Sequence, residues 1–357
     1  MKERCIGTQN DTLKSSYYDG TKLLSMKDLN GNKPEIYLCT TNRTGGKTTF
    51  FNRFVTKKFK ANEGKFGLVY RFKYELDDSA DKFFKDISKL FFNGDVMTSK
   101  PKASGMYHEF FLNDESCGYA MALNSADQLK KYSHFFNDIE RMIFDEFQSE
   151  SNHYCSDEVR KFISLHQSIA RGNGKQTRYV PVYMLSNAVT INNPYFVELG
   201  ISERLKHDTK FLRGNGFVLE QGFVESASNA QQDSLFNQAF SNNKYIAYAS
   251  QNIYLHDEYA FIEGVEGRSR YICTLKYKGT DFAVREYPEL GVVYCDKRVD
   301  HTNPFRISVT TADHNVNYVM LNTNSELVNT LRYYFNHGCF RFKDILCKEA
   351  VMKTVKY

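Results

Sequence analysis

The sequence has no tryptophan, no Cys-x-x-Cys pair or His-x-x-x-His partner, and no apolar run approaching the ~18 residues a membrane span needs. The missing tryptophan assigns no role, since 29 phenylalanines and 24 tyrosines supply aromatic bulk. The cysteine pattern argues against a zinc site. Cys5, Cys39, Cys117, Cys155, Cys273, Cys295, Cys339 and Cys347 are scattered and read as reduced thiols of a cytosol-like compartment. Without an apolar run, and with a first thirty residues too polar for a signal peptide, the chain reads as soluble, intracellular and without a membrane partner. Charge of one sign is not in great excess either. A formal +5 permits a polyanionic partner without demanding one. The 357 residues, 41% apolar, suggest two domains at roughly one per ~150 residues.

What is present centres on residues 36–50, Ile-Tyr-Leu-Cys-Thr-Thr-Asn-Arg-Thr-Gly-Gly-Lys-Thr-Thr-Phe. A buried strand (36–39) leads to a turn whose glycines let backbone N–H groups close around phosphate oxygens, and the next helix points its positive end at the same anion. Lys47 is placed to reach the β- and γ-phosphates and the Thr48 hydroxyl to ligate Mg²⁺. The nucleotide-binding set is then Arg43, Thr44, Gly45, Gly46, Lys47, Thr48 and Thr49, with ATP and Mg²⁺ as ligands. The usual spacing has a further glycine where this chain has Thr41. A solvated surface turn is the rival reading, and a second half of the site decides between them.

That half is residues 139–147, Ile-Glu-Arg-Met-Ile-Phe-Asp-Glu-Phe. A short apolar strand ending in Asp145 and Glu146 provides one carboxylate for the Mg²⁺ shell and one to orient and deprotonate the attacking water. Next, Ser156 to Glu158 start a helix with an apolar face of Val159, Phe162, Ile163, His166 and Ile169. It runs into Arg171-Gly-Asn-Gly-Lys175. Arg171 is either a cation favoured by a helix C-terminus or an arginine finger serving an adjacent subunit. Residues 180–185 form another strand ending in Ser186 and Asn187, at the sheet edge where polar groups sense a γ-phosphate or position water.

Around these parts, Phe50, Phe51, Phe54 and Val55 face a core at helical spacing, with Lys57, Lys58 and Lys60 outside. Residues 66–72 read as a buried strand. Ser79 caps a helix with the stripe Phe83, Phe84, Ile87, Leu90 and Phe91, and residues 107–112 and 117–123 form a hairpin. The alternation implies an α/β sheet with antiparallel decoration. Residues 205–245 are polar and read as a linker. The expected divisions are 1–208, a P-loop ATPase domain; 209–250, a linker segment or small linker domain; and 251–357, a small α+β domain. In the last, 269–278, 281–287 and 291–296 form an antiparallel meander, and 325–335 and 343–355 are helices, which suits an RNase H-like fold. Two-metal cleavage needs clustered carboxylates. The first strand of the meander has none, and Asp281, Asp296 and Asp300 fall at turns, so no nuclease activity is expected. Arg341, Lys343, Lys348, Lys353 and Lys356 make the end of the chain basic.

Arg43 within the irregular P-loop, the Ile-Phe-Asp-Glu-Phe strand, residues 185–196 (Leu-Ser-Asn-Ala-Val-Thr-Ile-Asn-Asn-Pro-Tyr-Phe) and residues 340–344 (Phe-Arg-Phe-Lys-Asp) resemble the DNA-packaging ATPases of phi29-type tailed phages. The resemblance implies an ATPase of the additional-strand catalytic-glutamate class. Its ring, pentameric by this likeness, pumps double-stranded DNA into a procapsid through the portal in the host cytoplasm, with a packaging RNA in some relatives. It makes Lys47 and Thr48 the phosphate and Mg²⁺ residues, Asp145 and Glu146 the acidic pair, Arg171 the trans-acting finger, and Arg71 and Lys73 basic residues able to reach a neighbour's nucleotide. The longer loop after Arg171 leaves Lys175 and Arg178 as rival fingers. A motor indifferent to sequence holds DNA by its phosphates, for which Lys57, Lys58, Lys60, Lys130 and Lys131 are candidates. A helicase or remodelling ATPase shares the same site, and a non-hydrolysing nucleotide-gated scaffold is the third reading.

Overall fold

The computed structural model describes residues 17–172, 174–205, 209–251, 254–255, 257, 260–320 and 325–356. The polar start of the chain and Cys5 lie outside the described residues. Two compact units divide it, residues 1–256 and 257–357.

The first unit is built on β1 (Ile36–Thr41), β2 (Lys65–Tyr70), β3 (Met97–Lys102), β4 (Tyr107–Leu112), β5 (Glu115–Ala122), β6 (Ile139–Asp145), β7 (Val182–Asn187), β8 (Phe211–Arg213) and β9 (Phe217–Gln221). They make one sheet in the order β3-β4-β5-β2-β6-β7-β1-β9-β8. From β5 to β9 every pairing is parallel. These strands are nearly continuous apolar runs, which suits a sheet covered on both faces. The edge strands β3, β4 and β8 pair antiparallel. Helices α1 (Lys47–Lys60), α2 (Leu76–Phe91) and α3 (Glu158–Ile169) flank the sheet. α1 buries Phe51 and Val55 completely, with Phe50 and Phe54 packed at the margin, and sets Phe51 against Tyr183 of β7 at 5.2 Å between ring centres.

Three expectations shift. α2 starts at Leu76, before Ser79, running straight on from a 3-10 turn (Lys73–Glu75) in which the Glu75 carboxylate accepts the backbone N–H groups of Arg71 (2.9 Å) and Phe72 (3.1 Å). Of its stripe, Phe83, Phe84 and Ile87 are buried while Leu90 is exposed. α3 is rotated, burying Phe162, Leu165 and Ile169 and leaving Ile163 outside. Within the stretch read as a linker, β9 pairs in parallel with β1 and buries Val218 and Leu219 fully, so the sheet of the first unit extends past residue 208. After it come α4 (Glu225–Asp233), α5 (Leu235–Ala239) and α6 (Lys244–Gln251).

The second unit contains β10 (Arg270–Tyr277), β11 (Thr280–Tyr287), β12 (Val292–Asp296), β13 (Arg306–Ser308), β14 (Val319–Met320) and β15 (Phe340–Phe342), with α7 (Ser325–Asn336) and α8 (Ile345–Lys356). The sheet order is β14-β13-β10-β11-β12-β15. β10 to β12 form the expected antiparallel meander, and β13, β14 and β15 join in parallel. α8 buries Leu346, Cys347, Ala350 and Val351. The basic end is less solvated than expected, since Lys348 is buried and donates to the Ala260 carbonyl at 3.0 Å, and Arg341 pairs with Glu263. Among the described residues the cysteines are free thiols, and no helix is long and apolar enough to cross a membrane.

Candidate active site

β1 releases the chain at Thr41 into a loop that ends where α1 begins. Gly46, with φ 91°, is the residue on which α1 starts, and that left-handed backbone is what glycine supplies without strain. Thr41 stays in the strand, opposite Asn187 in register. The loop is held instead by Asn42, whose side chain donates to the Val224 carbonyl (3.0 Å) and accepts the Val224 N–H (2.9 Å). Gly45 is just as confined, because a Cβ there would lie 2.9 Å from a Val224 methyl. Its carbonyl accepts the Tyr18 N–H at 2.8 Å. The Thr44 hydroxyl donates to the Arg43 carbonyl at 2.7 Å, and Thr49 sits in the first turn of α1. The Arg43 guanidinium meets Glu150 at 2.9 Å and lies over the Tyr245 ring, while the Tyr248 hydroxyl donates to the same carboxylate at 2.6 Å.

On the other side of β1 the reactive groups converge. Lys47 is buried and its Nζ donates to Asn187 Oδ1 at 2.7 Å. Burial pushes its pKa down while the Asp145 carboxylate pulls it back up, so the ammonium needs an anion at hand. Asp145 closes β6, and Glu146 follows in a left-handed conformation (φ 56°) costing about 1–2 kcal/mol, its N–H donating to Asp145 Oδ1 at 2.9 Å. The kink swings the Glu146 side chain off the line of the strand. Burial first, and then the neighbouring Asp145 charge, raise the Glu146 pKa above the ordinary glutamate value, with Lys82 opposing. A cleft of about 280 Å³ lies here, its lining including Thr48, Asn52, Arg71, Lys82, Asp86, Asp145 and Glu146. The Ser186 hydroxyl is buried without a hydrogen-bond partner. Thr48 and Asp145 on this one cleft fit Mg²⁺, which takes one or two protein oxygens beside phosphate and water. Among the described residues no cluster of three His, Cys, Asp or Glu side chains could cage an ion.

The expected trans-acting residues separate. Arg71 is buried, pairs with Glu158 at 2.8 Å, and donates to the carbonyls of Glu146 (3.2 Å) and Phe147 (2.8 Å). It braces its own acidic turn instead of standing free for a neighbour. Arg178 is also buried, bound to Glu140 (2.7 Å) and the carbonyls of Ile139 and Ile169. Lys73, Arg171 and Lys175 are exposed. α3 is about 18 Å long. Its first residue, Glu158, joins the acidic turn through Arg71, and its last turn joins the start of β6 through Arg178. Arg171, just beyond that last turn, is therefore at the opposite sheet edge from its own P-loop. Of the candidate DNA lysines, Lys58 pairs with Glu63, Lys60 with Asp95 and Lys130 with Asp127, and Lys57 and Lys131 are exposed.

Sequence reasoning missed Asn42, Glu150, Glu158 and Lys82. Asn42 lies within the first motif and Glu150 just past the second, but a lone polar residue carries no spacing signal, and only the fold brings Glu158 and Lys82 beside them.

A family model described as "Podovirus DNA encapsidation protein (Gp16)" matches residues 12–356. The chain is 23% identical over 348 residues to the DNA packaging protein of Bacillus phage phi29, covering 96% of this chain and 97% of that protein. It is 25% identical over 318 residues to the DNA packaging protein of Bacillus phage B103, covering 87% and 92%. Its fold is similar to a chain of the bacteriophage Phi-29 viral genome packaging motor assembly, with a TM-score of 0.68 at 21% identity, covering 95% of this chain and all of that one. With a match over nearly its whole length, the chain belongs to the podovirus DNA encapsidation protein (Gp16) family.

Proposed function

We propose that the first unit is an ATPase of the additional-strand catalytic-glutamate class whose turnover drives double-stranded DNA into a procapsid through its portal. The observation that carries the reading is β7, which lies between β1 with its P-loop and β6 with its acidic pair, and which presents Asn187 to Lys47 at 2.7 Å. That inserted strand is what the class is named for. Loop N–H groups and Lys47 hold the β- and γ-phosphates. Mg²⁺, held by Thr48 and Asp145, would supply charge neutralisation at the bridging oxygens. Glu146, made more basic by burial, orients the attacking water and takes its proton as the γ-phosphoryl group transfers. Asn187, bound to Lys47, is positioned to report whether a γ-phosphate is present, and Ser186 beside it offers an unpaired hydroxyl.

Arg171 cannot act on its own nucleotide from the far sheet edge, so as a finger it serves an adjacent subunit. This favours a ring, pentameric by likeness to the family, with Lys73 and Lys175 as further trans-acting cations. We read the second unit as RNase H-like, a reading supported by its three-stranded meander (β10, β11, β12) with β13 and β14 added in parallel beside β10. Its carboxylates are individually engaged. Asp296 is buried against Arg298 (2.6 Å), Asp281 accepts the Tyr318 hydroxyl (2.6 Å), and Asp300 caps its own turn at Thr302. We therefore read this unit as a contact module for nucleic acid, the portal or a packaging RNA, and not as a nuclease. The protein would work in the host cytoplasm, docked on the procapsid. The test is steady-state ATPase activity with blunt double-stranded or single-stranded DNA. Stronger stimulation by double strands supports the motor, and stronger stimulation by single strands turns the reading to a helicase.

A further inference from the structure

The site above accounts for phosphates, metal and water but leaves the nucleotide's base without a seat. The fold says on which side it must lie. β1 has β7 and the acidic pair's strand on one side and β9 on the other. With the γ-phosphate turned toward Asp145 and Glu146, the rest of the nucleotide leaves the loop on the β9 side.

Two chain segments cross the loop there, and each is fixed on it by backbone bonds. The first is residues 17–18. The Tyr18 N–H donates to the Gly45 carbonyl (2.8 Å), and Tyr18 itself is buried, its hydroxyl donating to Glu220 at 2.7 Å and its ring edge-on to Phe50 at 5.7 Å. Tyr17 next to it is 56% exposed, yet its ring edge is the first atom a Cβ on Gly46 would meet, at 3.2 Å. The second segment leaves β9. Gly222 N–H donates to the Thr40 carbonyl (2.8 Å) and Val224 N–H to Asn42 Oδ1 (2.9 Å). Phe223 is held between these two anchors and is 54% exposed. An exposed aromatic residue alone is ordinary. Here two solvent-facing rings stand on rigid backbone, on both segments that touch the P-loop glycines.

We propose that Tyr17 and Phe223 form the base-recognition platform of this ATPase, stacking a purine. The proposal rests on the ATPase reading above and adds its nucleotide specificity. Stacking on a flat ring discriminates by overlap area, so purines are favoured over pyrimidines, and neither ring needs to donate a hydrogen bond.

The experiment is steady-state hydrolysis by the full chain of ATP, GTP and CTP, with pyrophosphate as a competitor lacking a base, in wild type, Tyr17→Ala, Phe223→Ala and Tyr17→Phe. Each alanine variant should raise KM for ATP roughly 5- to 30-fold, about 1–2 kcal/mol at 1.4 kcal/mol per tenfold. The purine-to-pyrimidine ratio of kcat/KM should fall toward one, with kcat and pyrophosphate inhibition held within about twofold. Tyr17→Phe should keep the wild-type KM. Unchanged KM and purine ratio in both alanine variants would overturn the proposal. So would a matching loss of pyrophosphate affinity, which would mean that the phosphate loop itself had been distorted. If wild type hydrolyses no nucleotide, the underlying ATPase reading fails first and the platform with it.

Discussion

Replacing Arg71 by alanine separates an internal brace from a residue that serves a neighbouring subunit. Its guanidinium meets Glu158 at 2.8 Å with both side chains almost fully buried, and it also donates to the carbonyls of Glu146 and Phe147. Removing one partner of a buried pair leaves the other charge uncompensated, at a cost of about 3–5 kcal/mol. Glu158 retains the Tyr195 hydroxyl (3.0 Å) and the Cys155 N–H (2.9 Å), which moves the expectation to the low end, about 3 kcal/mol. At ~2–4 °C per kcal/mol for a domain of this size, Tm should fall by roughly 6–12 °C. Releasing the Glu146 carbonyl also loosens the acidic turn, and on the proposed mechanism a displacement of about 1 Å there would lower kcat by roughly 100-fold. The double variant Arg71→Met with Glu158→Leu should regain most of the stability, because an apolar pair of similar volume replaces a buried ion pair at little cost. The assays are thermal unfolding by far-ultraviolet circular dichroism and ATPase turnover, alone and in mixture with Glu146→Gln. A Tm within about 2 °C of wild type, together with activity restored on mixing, would refute the brace and return Arg71 to a trans-acting role.

Other perturbations follow from the same geometry. As the proposed base, Glu146 has to be ionised to take a proton, and burial with Asp145 raises its pKa, so the acidic limb of the kcat–pH profile should lie above the ordinary glutamate range; Lys82→Met, by removing an opposing positive charge, should move it higher. A limb unmoved by Lys82→Met would show that another group controls it. Gly45→Ala drives a methyl against Val224 and should cost about 1–3 kcal/mol of stability and weaken nucleotide binding, with Val224→Ala in the same chain restoring much of both in a melt and a binding titration. Asn187→Ala should leave Lys47 without its buried partner and lower kcat by roughly 10- to 100-fold with a smaller change in KM, measured by steady-state hydrolysis. Single alanine replacements of Lys58, Lys60 and Lys130, which sit in surface ion pairs, should change stability by less than about 1 kcal/mol, and the slope of DNA affinity against salt will identify any that touch phosphate.

The parts of the site that could be read from sequence are those in which one short run holds both the backbone geometry and the chemistry. Gly45-Gly46-Lys47-Thr48 and Phe144-Asp145-Glu146 are of that kind; in the fold of the second unit, so is the meander with its turns at Lys278-Gly279 and Gly291. Residues whose role is set by partners far away in sequence were not legible. Arg71 follows a strand as a finger might, and only the buried Glu158, 87 residues later, makes it a brace. β9 is five residues in a polar neighbourhood, and its burial comes from pairing with β1 at a long sequence distance. Arg43 lies in the loop itself, but its partner Glu150 is 107 residues away in sequence and could not be paired with it from the loop's pattern. Ser79 is a good capping residue by type, but the helix already begins at Leu76, continuing a 3-10 turn that Glu75 closes by accepting two N–H groups.

The central claim is a nucleotide site shared between subunits and coupled to double-stranded DNA, and a mixing experiment tests it most directly. ATPase turnover is measured with blunt double-stranded DNA for wild type, Glu146→Gln, Arg171→Ala and a mixture of the two variants. Stimulation by DNA in wild type, loss in each variant and partial recovery in the mixture are expected, since a Glu146 from one variant then meets an Arg171 from the other. Undiminished turnover in Arg171→Ala, or no recovery on mixing, would contradict a finger acting across the subunit boundary.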